Sequence, residues 1–216
     1  MNNEIMYRSK KAITIIVDDQ YKQGLCDTLK ERYASDKWYN VILCDEYDDR
    51  YESEIYIIVG ENAVVNENTK KIGGIVIDLS DSIIGELIDY NMDLSTVRIQ
   101  LLDGITLLKD TLIGIDFEDL KDVLKKRDNI SVSIVNSRTA SDIKMVIEKL
   151  IRKTQIDILK CKSVYLYIEG DIGLIEANEL AKELESVLGN HIHIAFTAAY
   201  DLSRKDEYYI MGLFAS

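Results

Sequence analysis

Residues 104–120 read Gly-Ile-Thr-Leu-Leu-Lys-Asp-Thr-Leu-Ile-Gly-Ile-Asp-Phe-Glu-Asp-Leu. Into this stretch runs a helix over residues 94–108, on which Leu94, Val97, Leu101, Leu102, Ile105 and Leu108 form an apolar stripe. Ser95 or Asp93 is placed to cap it. A short loop then presents two acids, Asp116 and Asp119, with Phe117 between them, and a second, strongly charged helix follows over 118–126. The spacing predicts helix, acid-bearing loop, helix.

Working outward toward the amino terminus, four short apolar runs read as strands: 11–17, 39–44, 55–59 and 74–79. Residues 20–33 carry Tyr21, Leu25 and Leu29 at helical intervals, and Asp81 is placed to cap a helix reaching Tyr90. Strands that are apolar throughout and alternate with helices predict a Rossmann-like parallel sheet covered on both faces. Such a sheet invites a nucleotide, so its turns decide the matter. The first strand is followed by Asp18-Asp19-Gln20-Tyr21, whose bulky and anionic side chains keep backbone N–H groups away from a phosphate and repel its charge. Neither G-x-G-x-x-G nor G-x-x-x-x-G-K-[ST] occurs. The paired glycines, Gly73 and Gly74, precede a strand and read as a bend.

Toward the carboxy terminus the pattern predicts a strand over 129–135, an amphipathic helix over 139–151, a strand over 163–168, a glycine turn over 170–173 and a helix over 174–188 that ends at Gly189. Two strands, 191–197 and 207–214, close the chain. The expected organisation is therefore residues 1–93 as an amino-terminal sheet domain, 94–110 as a central helix and 111–216 as a mixed-sheet α/β domain.

Composition narrows the function classes. Across 216 residues, 47% are hydrophobic, enough for a sizeable buried core. No run approaches the roughly 18 apolar residues of a membrane span, and the first residues lack a secretory pattern, so a cytoplasmic address with no membrane partner is expected. A formal charge of −12 argues against nucleic acid, which draws affinity from clustered Lys and Arg. Cys26, Cys44 and Cys161 lie far apart and suggest neither disulfides nor zinc. No metal and no cofactor is expected.

The D-F-x-D spacing of residues 116–119, followed by Leu-Lys-Asp-Val-Leu, resembles the catalytic loop of the bacterial tubulin homologue FtsZ, which reads roughly G-L-I-N-x-D-F-A-D-V. Residues 164–179, Val-Tyr-Leu-Tyr-Ile-Glu-Gly-Asp-Ile-Gly-Leu-Ile-Glu-Ala-Asn-Glu, are similar to that family's strand, glycine turn and L-x-E-x-x-E helix. Residues 194–215 resemble its closing strand, acidic connection and final strand. Together these pieces cover the chain from Val97 onward, in the family's order. The resemblance implies a reduced tubulin/FtsZ-like α/β fold: a vestigial Rossmann-like domain, a central helix and a fairly intact carboxy-terminal domain.

The departures from the family pattern are specific. The glycine signature G-G-G-T-G-[ST]-G is absent, and the amino-terminal half is too short for a complete family GTPase domain. Gly114 stands where the loop asparagine is usual, and Asp110-Thr111 where Pro-Gly is usual. The sequence stops at Ser216, where family members continue into a linker and a partner-binding tail, so partners that read that tail are expected to find nothing to hold.

What the resemblance implies about function centres on the loop. Family acids there polarise water against a γ-phosphate held by the neighbouring subunit, which casts Asp116 and Asp119 as catalytic in trans and Ile113, Gly114 and Phe117 as interface. On the residues alone, Asp116 is a helix cap and Asp119 a first-turn acid. The implied partner is a second copy or an FtsZ-family protein, whose filament end this chain would cap. The alternative is a nucleotide-binding enzyme or GTPase with an unrecognised site in the amino-terminal domain. His191 and His193 read as neighbours on one strand face, Tyr165 and Tyr167 as packing residues, and 125–127 as a solvated basic run.

Overall fold

The structure is a computed structural model that describes residues 11–33, 38–47, 52–61, 74–80, 83–84, 94–106, 111–125, 129–137, 143–154, 156–201 and 207–216. The chain divides into two compact units, Met1–Ser80 and Asp81–Ser216.

The first unit is built on a four-stranded sheet of β1 (Lys11–Val17), β2 (Tyr39–Leu43), β3 (Ser53–Val59) and β4 (Ile75–Leu79) in the order β2-β1-β3-β4. Every pairing is parallel. The four apolar runs of the sequence are these four strands. Ile13, Ile15, Ile16 and Val17 of β1 and Ile55, Ile57 and Val59 of β3 are all buried, as strands covered on both faces must be. A polar seam crosses the sheet at Thr14. Its hydroxyl lies 2.7 Å from Ser53 Oγ on β3 and accepts from Asn40 Nδ2 on β2 at 3.4 Å, which satisfies a fully buried group.

The segment expected as one helix over 20–33 is instead a 3-10 turn (Asp19–Tyr21), a π-turn (Lys22–Cys26) and a short α-helix, α1 (Asp27–Tyr33). Gly24 in its middle lowers helix propensity and lets the first turns depart from α geometry. α1 buries Leu29 and Tyr33, and the Tyr33 ring packs 5.2 Å from that of Tyr39 at the head of β2. Gly73, Asp81 and Tyr90 lie outside the described residues.

The second unit opens with α2 (Leu94–Thr106), whose stripe residues Val97, Leu101, Leu102 and Ile105 are buried as their spacing predicts. Leu108 lies outside the described residues. β5 (Thr111–Ile113), α3 (Phe117–Leu124), β6 (Ile130–Ser137), α4 (Ile143–Lys153), β7 (Ser163–Gly170), α5 (Leu174–Leu188), β8 (His193–Tyr200) and β9 (Tyr208–Ala215) follow. The sheet order is β5-β8-β7-β9-β6. β7 and β8 are parallel; β5 with β8, β7 with β9 and β6 with β9 are antiparallel. The sheet is therefore mixed. β5 was not foreseen: residues 111–113 sit in the expected loop, and the short run Thr-Leu-Ile becomes a strand by pairing with Ala198 and Ala199 of β8.

Alternation sorts this sheet's two faces. Val164, Leu166 and Ile168 of β7, with Ile210 and Phe214 of β9, join Val146, Ile147 and Leu150 of α4 and Ala177, Leu180 and Leu184 of α5 in one core. The other face carries Tyr165, Tyr167 and Glu169. There α2 approaches closely: a β-carbon on Gly104 would stand 2.9 Å from both Met211 Cε and Tyr167 Cδ1, so the helix reaches the sheet only because that residue has none.

Candidate functional site

The loop that carries the two acids is fixed by its own backbone. After Ile113 the chain turns through Gly114 and Ile115 to Asp116, whose extended backbone (φ −87°, ψ 175°) makes it the N-cap of α3. Asp116 Oδ1 accepts from the Asp119 backbone N–H at 2.9 Å, and Asp119 Oδ2 accepts from that of Asp116 at 3.3 Å. This reciprocal capping box satisfies two N–H groups the helix start leaves without partners and puts two carboxylates at the positive end of its dipole. α3 buries Leu120, Val123 and Leu124, so Asp116, Glu118 and Asp119 face water. Phe117 is half-buried, with Lys121 Nζ 5.9 Å from its ring centre. Gly114 is exposed and Ile113 half-buried. Each acid spends one carboxylate oxygen on the cap and keeps the other for water or a partner's donor.

The strand order of the first sheet changes direction at β1, so the crevice beyond the carboxyl ends of β1 and β3 is where parallel sheets of this kind hold ligands. Asp18 directly follows β1 there. Asp18 is buried, donates its N–H to Val59 O at 2.8 Å, and accepts on its carboxylate from Gln20 N at 3.1 Å and Gln20 Nε2 at 3.3 Å. Tyr21 N donates to Asp18 O at 2.9 Å, and Asp19 accepts from Asp45 N at 3.3 Å. Gly60, just past β3, takes φ +101°, and a β-carbon there would lie 2.4 Å from Asp18 Cβ and 2.9 Å from the Tyr21 ring. Only glycine lets the two turns pass. The amides of Gln20 and Tyr21 are both bound by Asp18, the first by its carboxylate and the second by its carbonyl.

On the Tyr165 face of the second sheet lies a polar cluster. Tyr165 OH donates to Gly104 O at 2.9 Å, capping a carbonyl in the last turn of α2, and Tyr167 OH donates to Glu169 Oε2 at 2.9 Å. Burial pushes both phenols far above the ordinary tyrosine range, and the Glu169 carboxylate raises Tyr167 further. The rings of Tyr167 and Tyr209 meet edge to face with centres 6.3 Å apart. These tyrosines are packing residues, as the sequence indicated. The fully buried Glu169 was not anticipated: a lone acid at the end of an apolar strand gives no signal of the phenol it accepts from.

The two histidines do not share a strand. His193 begins β8 and His191 lies in the preceding turn, because Gly189 and Asn190 postpone the strand; both are exposed. Among the described residues no group of three or more His, Cys, Asp or Glu is placed to hold a metal.

No family model and no curated protein matches the sequence. Solved structures do. The chain is similar to an empty FtsZ dimer of M. jannaschii at 15% identity, covering 97% of this chain and 89% of that one with a TM-score of 0.65. A tryptophan-to-tyrosine mutant of M. jannaschii FtsZ matches at 16% identity over 96% of this chain and 91% of that one, with a TM-score of 0.68. The chain has the FtsZ fold. CetZ from Methanosaeta thermophila strain DSM 6194 is similar at 14% identity and a TM-score of 0.53, over 97% of this chain and 62% of that one. At these identities the likeness is one of fold. It reaches beyond the sequence resemblance, which began at Val97, since a parallel sheet in one unit and a mixed sheet in the other together make the FtsZ/tubulin pattern. On this fold the Asp18 turn lies in the first unit and the acid loop in the second.

Proposed function

We propose that the protein is a cytoskeletal or cell-division-related association module on the FtsZ fold that works without a GTP site of its own. It meets a second copy, or an FtsZ-family protein whose filament end it caps, through the loop Ile113, Gly114 and Phe117 with the acids Asp116 and Asp119. One observation supports the reading: the buried Asp18 carboxylate stands at the carboxyl end of β1 and takes up the Gln20 amide, while the acid loop stays open to water. Buried negative charge at that spot opposes a nucleotide phosphate twice, by filling space and by repulsion. A chain with an acid loop and no pocket has one competent end, and a heterologous contact with one competent end cannot propagate. Against a partner that holds nucleotide, Asp116 and Asp119 would orient water toward the γ-phosphate.

Two measurements on the full chain test this. Calorimetric titration with GTP is expected to show no saturable heat; saturable binding that is lost on changing Gly73 or Gly74 supports the nucleotide-binding enzyme instead. Co-sedimentation with polymerised FtsZ is expected to carry the protein into the pellet, with Phe117→Ala weakening it by at most about 3–5 kcal/mol if the ring is fully buried in the contact. Changing Asp116 and Asp119 together to alanine should alter GTP turnover at filament ends. If the protein stays in the supernatant at every ratio and scatters light as a stable dimer, the capping role is wrong.

A further inference from the structure

The mixed sheet has two ends of opposite chemistry, and its register fixes which residues share an end. Ser163 of β7 lies opposite His193 of β8 and Ala215 of β9, while Gly170 lies opposite Tyr200 and Tyr208. At the Gly170 end stand Asp171, Asp201 and Glu207, each next to a strand terminus there. The Ser163 end is the reverse. β6 and β7 both run antiparallel to β9, so α4 must travel back from the far end of β6, and its last residues, Arg152 and Lys153, arrive where β7 begins. The 3-10 turn Ile158–Lys160 and Lys162 lead directly into Ser163. Ser163 Oγ donates to Val123 O, which brings Lys125 at the end of α3 to the same place.

Lys125, Arg152, Lys160 and Lys162 are exposed and Lys153 half-buried. Against these five cations stand the described acids Asp122, beside Val123 on α3, Asp157, 3.8 Å from Lys160 Nζ, and Glu185 near the end of α5. The end is therefore basic in a chain whose formal charge is −12. In the turn before β7, Leu159 has 91% of its surface exposed, while its neighbours Ile156 and Ile158 pack against the core and hold the turn in place.

We infer that this end is a docking surface for an anionic lipid bilayer. The cations come from several separate elements and lie at one end of a sheet. A planar field of mobile anionic headgroups satisfies such an array without shape complementarity, whereas an acidic peptide needs a cleft. An exposed apolar side chain next to a lysine in sequence is suited to enter the boundary between headgroups and acyl chains. The acidic Gly170 end is then turned toward water, which orients a protein whose total charge would otherwise be repelled. A peripheral contact of this kind needs no spanning helix, so it revises the expectation of no membrane partner, which rested on the absence of one. The inference is independent of the association role proposed above.

The test is flotation of the full chain with vesicles of phosphatidylglycerol and phosphatidylcholine, against vesicles of phosphatidylcholine alone. Binding is expected only to the anionic vesicles, with loss at about 0.5 M salt, where charges more than a few ångströms apart are screened. Leu159→Glu, and Lys160→Glu combined with Lys162→Glu, should each weaken it about tenfold or more while leaving circular dichroism unchanged, because all three side chains are exposed. No flotation of the wild type, or variants that float as well as it does, overturns the inference. So does a lipid-free shift in sedimentation coefficient caused by the same variants without any effect on flotation, which would assign the surface to a second copy.

Discussion

A phenol buried in a sheet resists ionisation, and that makes Tyr165 and Tyr167 reporters of stability. In the unfolded chain a tyrosine loses its proton near pH 10; in the folded protein burial, and for Tyr167 the Glu169 carboxylate, hold both groups protonated well beyond that. Their folded pKa values are raised, so their contribution is complete below pH 10 and is lost as pH climbs above it. Two such groups give a fall of about 2.7 kcal/mol per pH unit at most. Urea midpoints at pH 9 and 11 should show the drop, and Tyr167→Phe should make it shallower; an unchanged slope in that variant would remove Tyr167 from the account. At Asp116 the contest is between cap and catalyst, and the capping box gives the first a measurable size. Asp116→Ala should cost about 1 kcal/mol of stability and Asp116→Asn a few tenths, since asparagine caps as well. The cap was legible in the sequence because an acid three residues before another acid at the head of an apolar run is a local signal. Asp18 was read only as a deterrent to phosphate. That its turn packs against Gly60 depends on a residue distant in sequence, and no local pattern announces such a meeting.

Among the elements, α2 carries the clearest message and the clearest gap. Its stripe of Val97, Leu101, Leu102 and Ile105 announced a helix with one buried face, yet Arg98, Asp103 and Thr106 are buried as well. Periodicity reports where apolar residues are, and says nothing about polar groups that tertiary structure covers. Thr106 settles its burial locally, donating to Leu102 O at 2.7 Å. Gly104 is the tightest point of this helix. Alanine there would gain up to about 1 kcal/mol of helix propensity but must push into the Tyr167 ring and Met211, a strain of about 1–3 kcal/mol. Gly104→Ala should therefore lower the urea midpoint, and a midpoint at or above wild type would mean the Met211 side chain moves aside freely. β5 escaped the sequence for a different reason: three residues are too few to show alternation, and the strand exists only through its partner β8. The division of Asp19–Tyr33 into three kinds of turn was hidden likewise, since Tyr21, Leu25 and Leu29 satisfy a helical spacing however the backbone between them is wound.

For the molecule as a whole, order along the chain was legible because each strand and helix carries its own pattern, whereas the side-by-side order β5-β8-β7-β9-β6 is a property of pairings that span up to 88 residues, as between Thr111 and Ala199. Those pairings also create a surface that no segment shows alone. At the Gly170 end of the mixed sheet Leu174, Ile175 and Tyr200 are 55%, 74% and 48% exposed, and β5, paired to Ala199, adds Leu112 at 46%. Apolar side chains exposed at one end, near the acid loop that follows β5, are the kind of patch that self-association would bury. The Asp171 carboxylate lies beside the Tyr200 phenol and raises its pKa. Against association stands the charge: two copies at −12 each repel, and that repulsion is screened by salt while apolar burial is not. Self-association through this end should consequently strengthen between about 0.05 and 0.5 M salt, need no nucleotide, and disappear in Ile175→Glu, whose new charge would have to be buried without a partner. Sedimentation velocity reads all three at once. A species that dissociates as salt rises would instead be held by ion pairs, and an Ile175→Glu protein that associates as the wild type does would move the contact to another face of the fold.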